Sequence, residues 1–121
     1  MNGVDGQADA HVDYHDAVGV VTLTGEVDIV QASRLRERLL GAVRNEDMGL
    51  VVDLSQASYI DSVGVSLLFE LAEKLTERQL RLGVVLPDGG LVARVLGIVN
   101  LAAVAEVHTS VDEALTSIRD A

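Results

Sequence analysis

A chain of 121 residues with a formal charge of −10, from 19 acidic and 9 basic side chains, can bury one sizeable core and repels phosphate backbones and anionic lipid. Hydrophobic residues make up 49% and aromatic residues only 2%, so this core must be assembled from Val, Leu, Ile and Ala. Cysteine is absent, which excludes disulfides, thiol catalysis and cysteine-based zinc sites, and no apolar run reaches the roughly 20 residues of a membrane helix.

Met1 to Ala10, rich in Gly, Asp and Gln and without periodicity, reads as a mobile lead-in to a single domain at 11–121. It lacks the basic and apolar regions of a signal peptide, so a cytoplasmic location is expected. His11 to His15 alternates as an edge strand would, and Asp16-Ala17 supplies a turn into a clearer strand, Val18 to Thr24. Gly25 to Asp28 ends that strand. Asp28 and Gln31 have capping-box spacing ahead of a helix striped by Leu35, Leu39, Leu40 and Val43, and Asn45 to Gly49 closes it.

Gly49 to Leu54 is an almost uninterrupted aliphatic run, the pattern of a strand buried on both faces. Ser55 to Tyr59 reads as a connecting loop. Beyond it Val63, Leu67, Leu68, Leu71 and Leu75 recur at helical spacing, and Asp61 and Ser62 are both good N-cap types for that helix. Leu80 to Leu86 is a further strand, Pro87 to Gly90 a turn, and Leu91 to Val99 a short helix. Val104 to Val107 is a brief strand, and Ser110 with Glu113 caps a final helix carrying Ala114, Leu115 and Ile118. The order β-β-α-β-α-β-α-β-α predicts one α/β domain with a mostly parallel mixed sheet and right-handed crossovers.

Asp53-Leu54-Ser55 followed by Ile60-Asp61-Ser62-Val63-Gly64 resembles the signature of STAS domains of the bacterial anti-sigma factor antagonists, a strand and loop leading to Asp-Ser-Ser/Thr-Gly at a helix start. Leu23 to Asp28 is similar to the family's Leu-x-Gly-Glu-x-Asp stretch. Leu91 to Leu101 is similar to its short helix before the last strand, with Asn100 at the usual glycine position. The resemblance spans nearly the whole chain and implies a STAS fold and a binding module, not an enzyme, with no cofactor. It implies phosphorylation at Ser62 by an anti-sigma factor that is itself a serine kinase, and reversal by a metal-dependent serine phosphatase. A partner surface of Asp28, Asp61, Ser62, Val63, Gly64 and Val65 follows, Asp28 near the modified serine and Gly64 permitting close approach. Binding of the dephosphorylated protein would free a sigma factor for transcription.

Val63 departs from the family's Ser or Thr, and Ser66 stands where a second Gly is common. Val63 favours the alternative of a STAS subunit in a transporter-associated or signalling assembly with no phospho-switch.

Other features have plainer readings. Val65, Phe69 and Ala72 form a second apolar line on the central helix, either core packing or a partner surface, depending on whether Phe69 is exposed. Glu70–Lys74 and its charged neighbours, with Arg34 and Arg38, read as solvated faces. His11, Asp13 and His15 would share one face of a strand, a geometry open to a metal but simplest as exposed edge residues. Nothing in the spacing of Asp61, Ser62 and His108 supports a catalytic triad.

Overall fold

The computed structural model describes residues 9–120. A hairpin of β1 (Asp9–His15) and β2 (Val18–Val27) turns at Asp16, which takes a left-handed φ of 56°. There follow α1 (Ala32–Gly41), β3 (Gly49–Ile60), α2 (Ser62–Glu77), β4 (Arg81–Val85), α3 (Gly90–Ile98), a 3-10 turn (Leu101–Ala103), β5 (Glu106–His108) and α4 (Val111–Arg119). The strands lie side by side in the order β1-β2-β3-β4-β5, with β1 antiparallel to β2 and the other neighbours parallel. This is the α/β order expected. β1 starts at Asp9, so the last two residues of the expected lead-in belong to the sheet; residues 1–8 lie outside the described residues.

Both faces of the sheet are covered, which explains the unbroken aliphatic runs of the central strands. Val21 and Leu23 of β2, Leu50, Val52 and Leu54 of β3, and Leu82 and Val84 of β4 pack with Leu35 and Leu39 of α1, Leu68 and Leu71 of α2, and Val92 and Leu96 of α3. The alternate residues Val18, Val20, Val51 and Val85 turn to the opposite face, where Ala114, Leu115 and Ile118 of α4 cover them. Period-two alternation thus feeds two cores from one sheet.

Two strands run further than expected. Ser55 to Tyr59 is not a loop: β3 continues to Ile60, and β2 continues through Gly25 to Val27. Thr24 pairs with Gln56, Gly25 with Ala57, Glu26 with Tyr59 and Val27 with Ile60, with register shifts on either side of Gly25. β4 accompanies β3 only as far as Asp53. The two strands therefore project past the rest of the sheet as a parallel ledge. Ala57 and Ile60 of the ledge point inward and stay buried, while Ser55, Gln56, Ser58 and Tyr59 are exposed.

The termini of the helices follow their capping chemistry. Ser110 Oγ accepts from the Glu113 N–H at 3.1 Å, and Glu113 in return accepts from the Thr109 N–H at 3.2 Å, a capping box displaced by one residue. Asn100 takes φ 57° after α3, the left-handed cap that asparagine tolerates in place of glycine. α1 departs from expectation. Asp28 does not cap it; its Oδ1 accepts from Val30 N (3.1 Å) and Gln31 N (3.2 Å), closing a separate turn, and the helix begins only at Ala32. α1 also ends before Val43, which packs against the core from outside the helix.

Several charges placed on solvated faces are engaged instead. Arg36 of α1 makes a bidentate pair with Glu70 of α2, so Glu70 is held across the helix interface and not by Lys74. Arg38 donates to the Ala10 carbonyl at 2.7 Å, tying α1 to β1. Arg34 donates to Gln31 Oε1 at 2.9 Å. At the hairpin, Tyr14 donates its hydroxyl to the Ala42 carbonyl (2.8 Å), and the Arg44 guanidinium stacks 3.8 Å from its ring centroid while pairing with buried Asp47.

Candidate functional site

The ledge ends at Val27 and Ile60, and from its tip the β2–α1 loop and α2 depart side by side at the carboxyl ends of parallel strands. Open α/β sheets characteristically bind there. Asp61 joins the two departures. Its Oδ1 accepts from Gly64 N–H at 2.9 Å, capping α2, and its Oδ2 accepts from Ile29 N–H at 3.0 Å, holding the loop. Its own N–H donates to the Val27 carbonyl at 3.2 Å. One carboxylate thus fixes a helix terminus and a loop 32 residues upstream.

Asp61 titrates below the usual carboxylate range. Partial burial pushes its pKa up, but amide donors, Gly64 and Ile29 foremost, stabilise the carboxylate and outweigh it. A group whose folded pKa is depressed stabilises the fold above its unfolded pKa, about 3.9 for aspartate, and loses that contribution as pH falls through the lower folded value. Asp61→Asn is therefore expected to destabilise the protein by about 1 kcal/mol near neutrality, and the gap should narrow as pH falls below about 4. Urea unfolding of both proteins at pH 7 and pH 3 measures it; a gap unchanged at pH 3 would show that the charge of Asp61 has no part in the cap.

Ser62 is the first residue of α2 and is exposed, its hydroxyl open to solvent at the positive end of a 16-residue helix. Val63 and Val65 are half-buried, with Val65 packed against the core. Gly64 is buried, and a Cβ there would run into the Val27 carbonyl oxygen and stand 2.8 Å from Ile60 Cγ1. Within the chain, the close approach this glycine allows is to β2. Asp28 is half-buried and shapes the same loop through the turn described above.

The loop contributes two residues the sequence reading passed over. Ile29 and Val30 are 66% and 80% exposed beside the Asp61 anchor, and Tyr59 on the ledge is 39% exposed. An apolar dipeptide inside a turn between Asp28 and Gln31 is the signal that could have found them. The tip thus carries an exposed Ser62 at the start of α2, and exposed Ile29 and Val30 on the loop held by Asp61.

His108 lies on the edge strand β5, held by Glu113 (3.1 Å) and Glu106 (3.4 Å), while the carboxylate of Asp61 is committed to backbone amides, so the two do not form a relay with Ser62. His11, Asp13 and His15 are all exposed on β1, with His11 Nε2 3.3 Å from Asp13 Oδ2. Among the described residues no group of three or more His, Cys, Asp or Glu is arranged to hold a metal, and no helix is long and apolar enough to cross a membrane.

A sequence model of the STAS domain matches residues 9–114, from the first strand into the last helix. The chain belongs to the STAS family. Within that family, the anti-sigma-F factor antagonist RsfB of Mycobacterium tuberculosis is 30% identical over 105 residues, covering 87% of this chain and 84% of RsfB. The crystal structure of an anti-sigma factor antagonist from Mycobacterium paratuberculosis superposes with a TM-score of 0.86 at 30% identity, over 98% of this chain and 99% of that one. The phosphorylated form of the Bacillus cell fate determinant SpoIIAA shares the fold at a TM-score of 0.64 and 20% identity, over 91% of this chain and 99% of that one. This STAS protein is thus a member of the anti-sigma factor antagonist family, whose members are regulatory binding proteins and not enzymes.

Proposed function

We propose that this protein antagonises an anti-sigma factor with serine kinase activity, and that Ser62 is the phosphorylated switch. The observation that carries the reading is the exposed Ser62 hydroxyl at the start of α2, beside an Asp61 carboxylate that locks the neighbouring loop in place. The dephosphorylated protein carries Ile29 and Val30 exposed on the loop that Asp61 ties to the start of α2, apolar area that an anti-sigma factor can cover.

Phosphorylation brings about −1.5 to −2 charges to a surface already carrying Asp61 and Asp28. Helix α2 tolerates them at its N-terminus, so the fold survives. SpoIIAA, a relative in fold, has been solved in both unphosphorylated and phosphorylated forms. Arg36, on the adjoining face of α1, is occupied by Glu70 and leaves the added charge facing outward. A partner surface that is apolar or acidic opposite Ser62 then lets go. A metal-dependent serine phosphatase restores the binding form, and the exchange takes place in the cytoplasm, where it releases a sigma factor for transcription.

Valine at position 63, which lacks the second hydroxyl of the family motif, favours one other reading: constitutive binding within a signalling or transporter-associated assembly. Wild type and Ser62→Asp used as paired baits in host lysate, with mass spectrometry of the captured proteins, separate the two. We expect wild type to capture an ATPase-like anti-sigma kinase and Ser62→Asp to capture it at least about tenfold less. Equal capture by both baits would reduce Ser62 to a helix residue and leave the constitutive reading standing.

A further inference from the structure

Helix α2 carries a second surface, well away from Ser62. A cleft of about 810 Å³ opens between its C-terminal half and the 3-10 turn. Phe69, Ala72, Ala103 and Val104 form an apolar floor, and Glu73 and Glu77 stand along one rim. Phe69 is half-buried: its inner edge packs on the core, and the rest lines the cleft. The second apolar line of α2 therefore divides between core packing and surface.

The rim charges are available. Glu70, one turn earlier, is spent on Arg36, but among the described residues Glu73 and Glu77 are exposed and make no ion pair. They are four residues apart on one helix face, about 6 Å along the axis. A partner helix lying along the cleft offers the same repeat when it carries Lys or Arg at i and i+4. A second copy of this chain, with its net charge of −10, is a poor match for an acidic rim.

We propose that this cleft docks a basic amphipathic helix of a partner protein, with an apolar side chain between Phe69 and Val104 and two cationic side chains on Glu73 and Glu77. From Ser62 to Glu73, at mid-cleft and the nearer of the two rim charges, the helix rises by about 16 Å, about two Debye lengths at physiological salt. Occupancy of the cleft is therefore independent of a charge at Ser62. The proposal stands apart from the switch reading, and gives the protein a contact that persists when the Ser62 surface is released.

The test is an NMR titration of the isotope-labelled full chain with a synthetic 18-residue helical peptide bearing Leu along one face and Lys on both flanks. The control peptides replace Lys with Glu, or Leu with Ala. Shift changes are expected at Phe69, Glu73, Thr76, Glu77 and Val104, with at least tenfold weaker binding by either control and by the Glu73→Lys/Glu77→Lys protein. Ser62→Asp should bind within about twofold of wild type. Both rim glutamates are exposed, so the double variant is expected to keep the wild-type spectrum elsewhere. Shift changes scattered over other acidic surfaces, equal binding of the Ala control, or concentration-dependent self-association through the cleft would each overturn the proposal.

Discussion

Gly64→Ala is expected to lower the unfolding free energy by about 3 kcal/mol and to push the first turn of α2 off the ledge. Alanine is the better helix former, by about 1 kcal/mol, so propensity alone predicts the opposite sign. Sterics decide otherwise. The new Cβ would fall well inside contact distance of the Val27 carbonyl oxygen and stand 2.8 Å from Ile60 Cγ1 and 3.1 Å from Val27 Cγ1. Two of these three atoms belong to Val27, which also accepts the Asp61 N–H through that carbonyl. Relief by moving the helix therefore stretches the Asp61 contacts to Val27 and Ile29, and a stability loss is accompanied by a disturbed site. Gly97→Ala is the control, since a Cβ there meets nothing within 4 Å. Urea unfolding of the pair reads the difference, and a Gly64→Ala protein as stable as wild type would mean that α2 is free to slide.

Leu68→Ala should cost a comparable amount, about 3 kcal/mol within the roughly 2–5 kcal/mol range of buried leucine truncations, and lower Tm by roughly 10 °C. Leu68 is 0% exposed and packs in the cluster that joins α2 to the sheet, α1 and α3. The buried side chains of that cluster are all aliphatic, and Phe69 packs against it only by its inner edge, so close packing keeps the cavity open and its cost is retained. Leu68→Met keeps the volume and should lose less than about 1.5 kcal/mol. Similar losses for the two variants would show that the hole collapses.

How far the sequence carried the fold can be seen at the ledge. Gly49 to Leu54 announced itself because burial on both faces demands an aliphatic residue at nearly every position. Ser55 to Tyr59 looked like a loop because the ledge stands beyond the reach of β4 and has one open face, so only Ala57 and Ile60 need to be apolar. Two inward residues three apart are too few to establish a period. The N-cap at Asp61 was legible, being local: a carboxylate three residues before the amide it caps. Its second bond, to Ile29, spans 32 residues and leaves no mark on composition. For the same reason helical spacing pairs Glu70 with Lys74, its neighbour on the helix, whereas the tertiary structure supplies Arg36. Asp28 and Gln31 had the spacing of a capping box, but the turn they close lies one step ahead of the helix.

The scarcity of aromatic residues also provides an optical handle on the molecule. There is no tryptophan, and the two tyrosines stand at places with different fates. Tyr14 clasps the hairpin to the end of α1 through its bond to Ala42, under the stacked Arg44, so its emission follows the integrity of the sheet edge. Tyr59 stands on the ledge, three residues before Ser62 and open to solvent, so its emission follows whatever covers the tip. Replacing either one by phenylalanine leaves a chain with one native fluorophore, at the hairpin or at the ledge. Folding and occupancy can then be followed separately, without an extrinsic label.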